Sequence, residues 1–321
     1  MTIAQGPRLK AAQNIVSQFS ANGNPKPGKS AAATQTAAAG LQKSPAGWPI
    51  SRNDLVTQLN RRLQGKDLPR QVGTSYCGPA AFLYCLLEDR PDLYVSYAIS
   101  LWLKGEYDFR GKAGIVEVDS SIGTRTALTE ARKAQPGRAL ISDLDWMTMA
   151  SLSASTRPVG WVFGHPKPDD QLGSVTYPDV VKAWFAAVGG SLRGDTMGQG
   201  IMKSPVSANL GLLKHWVNSW IVLQIDSSLL SGGGTNTFRK RHWVVVNPHR
   251  RPLIQAGEGG KVVPLEDALK SASRPGVADM QNWRTSLYLV SWGNENSALH
   301  TPKLGHLHGR LYGAFAFARF R

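Results

Sequence analysis

The sequence predicts an α+β fold in which helices come first and strands second. Two observations carry this. From about Trp48 to Phe185 apolar residues recur at helical spacing, as in Leu55, Leu59 and Leu63. From Trp220 onward the apolar stretches are short and β-branched, with Gly-rich or polar loops between them.

The elements follow in chain order. Residues 1–47 are rich in Ala, Gly, Ser, Gln and Pro and read as a flexible basic leader, expected to be disordered, ahead of one folded domain over 48–321. Asp54–Leu63 reads as an amphipathic helix. Cys77–Leu87 reads as an apolar helix entered from a Gly/Thr/Ser loop, and Tyr94–Leu103 as the next. Asp143–Leu152 and Tyr177–Phe185 follow, the latter with Pro178 and Asp179 in its first turn. Trp220–Ile225 reads as a strand, Ser231–Asn236 as a flexible loop, and Arg239–Asn247 as a buried strand with His242 at its mouth. Trp283–Asn294 reads as its neighbour.

Composition bounds the function. The chain has 321 residues, 42% of them hydrophobic, and a formal charge of +15. No apolar run approaches the roughly 20 residues of a membrane span, and the N-terminus has no apolar core of a secretory signal. Two cysteines, Cys77 and Cys85, do not make a disulfide framework, so a reducing environment is expected. The charge is uneven: residues 1–53 contain six basic residues and no acidic one, and no acid follows Glu295. This bias favours anionic surfaces such as phospholipid or cell-wall polymer, and solubility alone explains it equally well. Gly23–Ser30 satisfies the phosphate-loop pattern GxxxxGK[ST], but it lies in low-complexity sequence without a preceding strand, so neither nucleotide nor specific nucleic-acid binding is expected.

Cys77 stands out chemically. It follows Gln71-Val-Gly-Thr-Ser-Tyr and begins Cys77-Gly78-Pro79, so it sits at the positive end of a helix dipole, a setting that raises the thiolate fraction. Gly78 is expected to let a substrate approach the backbone, and Pro79 suits a first helical turn. Gln71, six residues upstream, is placed to donate its amide to an oxyanion. His242, which begins an apolar strand 165 residues later, is the candidate base. Cys85 lies in an apolar neighbourhood and reads as core. The remaining histidines lack a partner pattern. His306-Leu-His308 has no cysteine or carboxylate nearby, so no metal and no cofactor are expected.

The Gln71…Cys77-Gly78-Pro79…His242 order resembles the papain-like cysteine peptidases. That resemblance implies a two-lobed fold with the cysteine helix in an N-terminal helical lobe and the histidine on a C-terminal antiparallel sheet. It implies Cys77 as nucleophile, His242 as its base and Gln71 as an oxyanion donor. Ser291-Trp292-Gly293 is similar to the Asn-Ser-Trp-Gly of these enzymes, but Val290 stands where their asparagine would be. Asn247, five residues along the strand from His242, faces the other side of the sheet. Ser291, Asn294 and Glu258 remain candidates for the third role, which stays unassigned.

The expected function is thiol-dependent hydrolysis of an amide or peptide bond. Its setting would be a bacterial effector or toxin, secreted without a general signal peptide and acting inside a target cell. Partners would be a protein or peptide substrate and a secretion chaperone, immunity protein or inhibitor. Glutamine or asparagine deamidation and acyl transfer use the same machinery. A non-enzymatic basic protein that adheres to anionic surfaces is the reading from another class.

Overall fold

The computed structural model describes residues 6–22, 42–72, 74–112, 114–134, 136, 140–156, 176–197, 211–230, 241–255, 260–265, 267–268, 282–299 and 303–321. The chain divides into two compact units, residues 1–188 with 320–321, and residues 189–319. Among the described residues the architecture is mixed α+β with antiparallel sheets.

The first unit is mainly helical. It contains α1 (Pro7–Ala21), α2 (Arg52–Leu63), α3 (Cys77–Asp89), α4 (Pro91–Lys104), α5 (Ile122–Ala134), α6 (Asp143–Ser155) and α7 (Pro178–Ala187). A hairpin of β1 (Glu106–Gly111) and β2 (Gly114–Asp119) interrupts them. Ser51 and Ser142 cap α2 and α6 by accepting from the amides of Asp54 and Asp145. Proline opens α4 and α7, and Gly105, at φ 81°, ends α4 in the left-handed conformation. Aromatic rings fill the centre, with Phe82 of α3 against Phe109, Trp184, Phe185 and Phe320.

The expectation of an unstructured leader is corrected for residues 7–21, which form α1. Ala12, Val16 and Phe19 are buried against α2 and α4. Phe19 meets Trp102 edge to face at 5.2 Å, and the Arg52 guanidinium lies 4.2 Å from the Phe19 ring while donating to its carbonyl. The spacing 12, 16, 19 is helical, but one of its three positions is only an alanine and glutamine, asparagine and serine surround the others. The Ala- and Gly-rich stretch over residues 23–41, with the phosphate-loop pattern, lies outside the described residues.

The second unit holds a six-stranded antiparallel sheet in the order β10-β9-β5-β4-β11-β3. Its strands are β3 (Leu192–Asp195), β4 (Ser219–Asp226), β5 (Arg241–Val246), β9 (Tyr288–Ser291), β10 (Asn294–Ala298) and β11 (Leu311–Ala318). A three-stranded sheet pairs β6 (Leu253–Gln255) with β7 (Val262–Pro264) and β8 (Arg284–Ser286), and α8 (Leu304–Gly309) precedes β11. Every residue of β4 is buried, so both faces of this strand are covered. One face carries Ile221, Leu223, Val244, Leu289 and Ala314 into a common core. On the other, Trp243 stacks on Phe315 at 5.9 Å. The strand β11 lies in the interior of the sheet, where the sequence showed chiefly a basic chain end. His306 and His308 lie on α8. The Ser231–Asn236 loop lies outside the described residues.

Candidate functional site

Cys77 is the first residue of α3 and is half-buried, whereas Cys85, two turns on, is fully buried. Tyr76 occupies the cap position without a side-chain cap hydrogen bond, and the Ala80 amide starts the helix by donating to the Tyr76 carbonyl. The first turn of α3 thus begins without a side-chain cap from Tyr76. Pro79, also in this turn, has no N–H to leave unsatisfied.

Gly78 serves packing more directly than access. A β-carbon there would collide with the side chain of Thr176, which is buried just ahead of α7. The first helical turn thus needs a glycine because Thr176, 98 residues away in sequence, covers it.

Gln71 opens the turn that leads to Cys77. Its carbonyl accepts from both the amide and the hydroxyl of Thr74, at 2.9 and 2.5 Å. The side chain is buried, 4% exposed, and its Oε1 has no hydrogen-bond partner among the described residues. A buried amide with an open acceptor is costly unless something else completes it.

In the second unit His242 is the second residue of β5 and is 6% exposed. Its Nε2 and the Ser291 Oγ are 2.7 Å apart. Strand parity explains the pairing. Val245 sits opposite Val290 in the β5–β9 ladder, so His242, three residues from Val245, and Ser291, one from Val290, project to the same face. Val290 points to the other, which is why no side chain at 290 can reach the ring. Asn247, as parity requires, is elsewhere: its amide donates to the Glu295 carbonyl and its Oδ1 accepts from the His249 amide. Asn294 is the first residue of β10, and its Oδ1 accepts from the Asn296 amide. Glu258 lies outside the described residues.

The residue after Ser291 completes the setting. Trp292, at φ 48°, and Gly293, at φ 77°, are the two central residues of the β9–β10 hairpin. Two positive φ values are the pattern of a type I′ turn, which favours Asn-Gly, and a tryptophan there is strained. The indole stacks on the His242 ring, with centroids 4.9 Å apart and planes at 22°. Burial pushes the His242 imidazole down to about 4, so it is neutral at pH 7.

No family profile, curated protein or solved structure matches the chain. Among the described residues no helix is long and apolar enough to cross a membrane.

Proposed function

We propose that the protein is a papain-like thiol hydrolase of amide bonds, with Cys77 as nucleophile and His242 as base. The observation that carries this reading is the treatment of His242. A histidine buried in a strand, held through Nε2 by a serine and covered by an indole in a strained turn is held for its imidazole. A structural role for it would be met by any apolar residue at lower cost. The helix-start setting of Cys77 adds the nucleophile.

In this mechanism His242 Nδ1 takes the thiol proton as Cys77 Sγ attacks the substrate carbonyl carbon. Ser291 Oγ accepts from Nε2–H and so steadies the imidazolium that forms. The oxyanion is held by the Cys77 backbone N–H and the Gln71 side-chain amide, a contribution of about 2.7–4 kcal/mol per donor in other enzymes. The tetrahedral species collapses, the carbon–nitrogen bond breaks, and the leaving amine takes the proton from Nδ1. A water then attacks the thioester, giving its proton to His242; the carbon–sulfur bond breaks, the Cys77 sulfur takes that proton back from His242, and the acid is released. If the amide lies in a peptide backbone the chain is cut; if it is a glutamine or asparagine side chain, ammonia leaves and the chain stays whole.

The decisive experiment is labelling with iodoacetamide and with an epoxide of the type that inhibits papain-like enzymes, read by intact mass and peptide mapping. Selective modification of Cys77 near pH 6–7, lost in His242→Ala, is the expected result. Equal reactivity in His242→Ala, with activity unaltered, overturns the assignment.

A further inference from the structure

The loop that carries Gln71 and Cys77 rests on a buried charged cluster that stability does not explain. Arg62, in the last turn of α2, is 1% exposed, and its Nη2 donates to Asp145 Oδ1 of α6 at 2.6 Å. Its Nε and Nη1 find no hydrogen-bond partner among the described residues, although Nη1 lies 3.5 Å from Asp67 Oδ1. The Tyr94 hydroxyl of α4 faces the Arg62 guanidinium in the same cluster. Burial pushes the Asp145 carboxyl up, against the pull of Arg62. Such a partly satisfied pair holds helices no better than apolar residues of similar volume, and often less well.

What apolar residues could not do is hold the backbone of the loop. The Asp145 carboxylate also accepts from the Ser142 hydroxyl at 2.9 Å and from the backbone N–H of Arg70. Asp67 faces the Arg62 charge. Beside Asp145 on α6, the Trp146 ring lies 5.8 Å from the ring of Tyr76. The loop is thus fixed at residues 67, 70 and 76. Those points bracket Gln71 and end at the residue before Cys77.

We propose that Arg62 and Asp145 are positioning residues that set the Gln71 amide and the Cys77 thiol by fixing the loop between them. This rests on the reading of Cys77 as nucleophile. Its test uses the full chain and two paired variants. Arg62→Met with Asp145→Leu removes the cluster's charges and the acceptor for Arg70; Arg62→Met with Asp145→Asn removes the charges but keeps that acceptor. The first should melt near the wild type. Its Cys77 should nevertheless react with iodoacetamide at pH 6–7 about 10-fold or more slowly, since a misplacement of about 1 Å can cost 10²-fold. Amides 70–77 should exchange faster, and the second variant should recover both rate and protection. A folded Met/Leu variant with wild-type alkylation across pH overturns the proposal. If that variant does not fold, Arg62→Lys, which keeps the charge and loses the fork, takes its place, and a wild-type profile there overturns it equally. Wild-type Cys77 reacting no faster than a free thiol would instead overturn the nucleophile reading itself.

Discussion

Two thiols and one hydroxyl hold the sharpest tests at the scale of single residues. Cys77 is half-buried at a helix start and Cys85 fully buried inside the same helix. Limiting iodoacetamide should therefore label Cys77 alone, which peptide mapping will read. Removal of the Ser291 hydroxyl leaves the His242 Nε2 buried and unpaired. Ser291→Ala should lower turnover by about 10-fold, given the roughly 1–3 kcal/mol cost of an unsatisfied buried group. It should leave binding of a substrate analogue nearly unchanged, so kcat falls and KM stays. The sequence showed Cys77, His242 and Gln71 as candidates because each has a local signature: a loop-to-helix boundary, a strand start and a fixed spacing. It could not choose Ser291 over Asn294 or Glu258, because that choice depends on which strands pair and in which register. Thr176 and Asp145 had no local signature at all; they matter only through what folds against them.

Among the elements, α1 is the clearest departure from expectation. Its burial of Ala12, Val16 and Phe19, and the Arg52 guanidinium near the Phe19 and Trp102 rings, make it part of the first unit's core. Phe19→Ala should destabilise the protein by about 3–5 kcal/mol, measured by urea denaturation, as for other buried aromatic truncations. Deleting residues 1–22 should lower the melting temperature further. A truncated protein with the wild-type transition would show that α1 adds nothing. Helices with strong stripes or clear start signals, such as α2 and α7, were legible from sequence, and so were β4 and β5 from their β-branched runs. The β1–β2 hairpin and α5 were not. β1 and β2 mix charges with single apolar residues on one face, and α5 buries only Thr124, Ala127 and Leu128. Strand β11 was hidden because alternating Ala and Phe contribute to both faces of an interior strand.

For the molecule as a whole, the buried imidazole ties stability to pH. His242 has an ordinary value of 6.5 when unfolded and about 4 when folded. Between those values the unfolded chain binds a proton that the folded chain refuses, so stability rises with pH through that window. The contribution is fully present above about pH 6.5 and is lost as pH falls toward 4, by about 3 kcal/mol in all. Chemical denaturation across pH 4–7 should show this slope, and His242→Leu should flatten it. An unchanged slope in that variant would place the acid sensitivity elsewhere.

Trp292 gives the same histidine an evolutionary cost. Its left-handed backbone, at φ 48°, is a conformation that costs an ordinary residue about 1–2 kcal/mol, and asparagine or glycine would relax it. A lineage selected only for heat tolerance would be drawn toward Asn-Gly at this hairpin. Each step that way strips the indole from the ring, lets water reach it, and moves its titration back toward neutrality. Acid tolerance would improve and, on the proposed function, the chemistry would suffer. On the proposed function, a single turn position thus sets heat tolerance, acid tolerance and activity against one another.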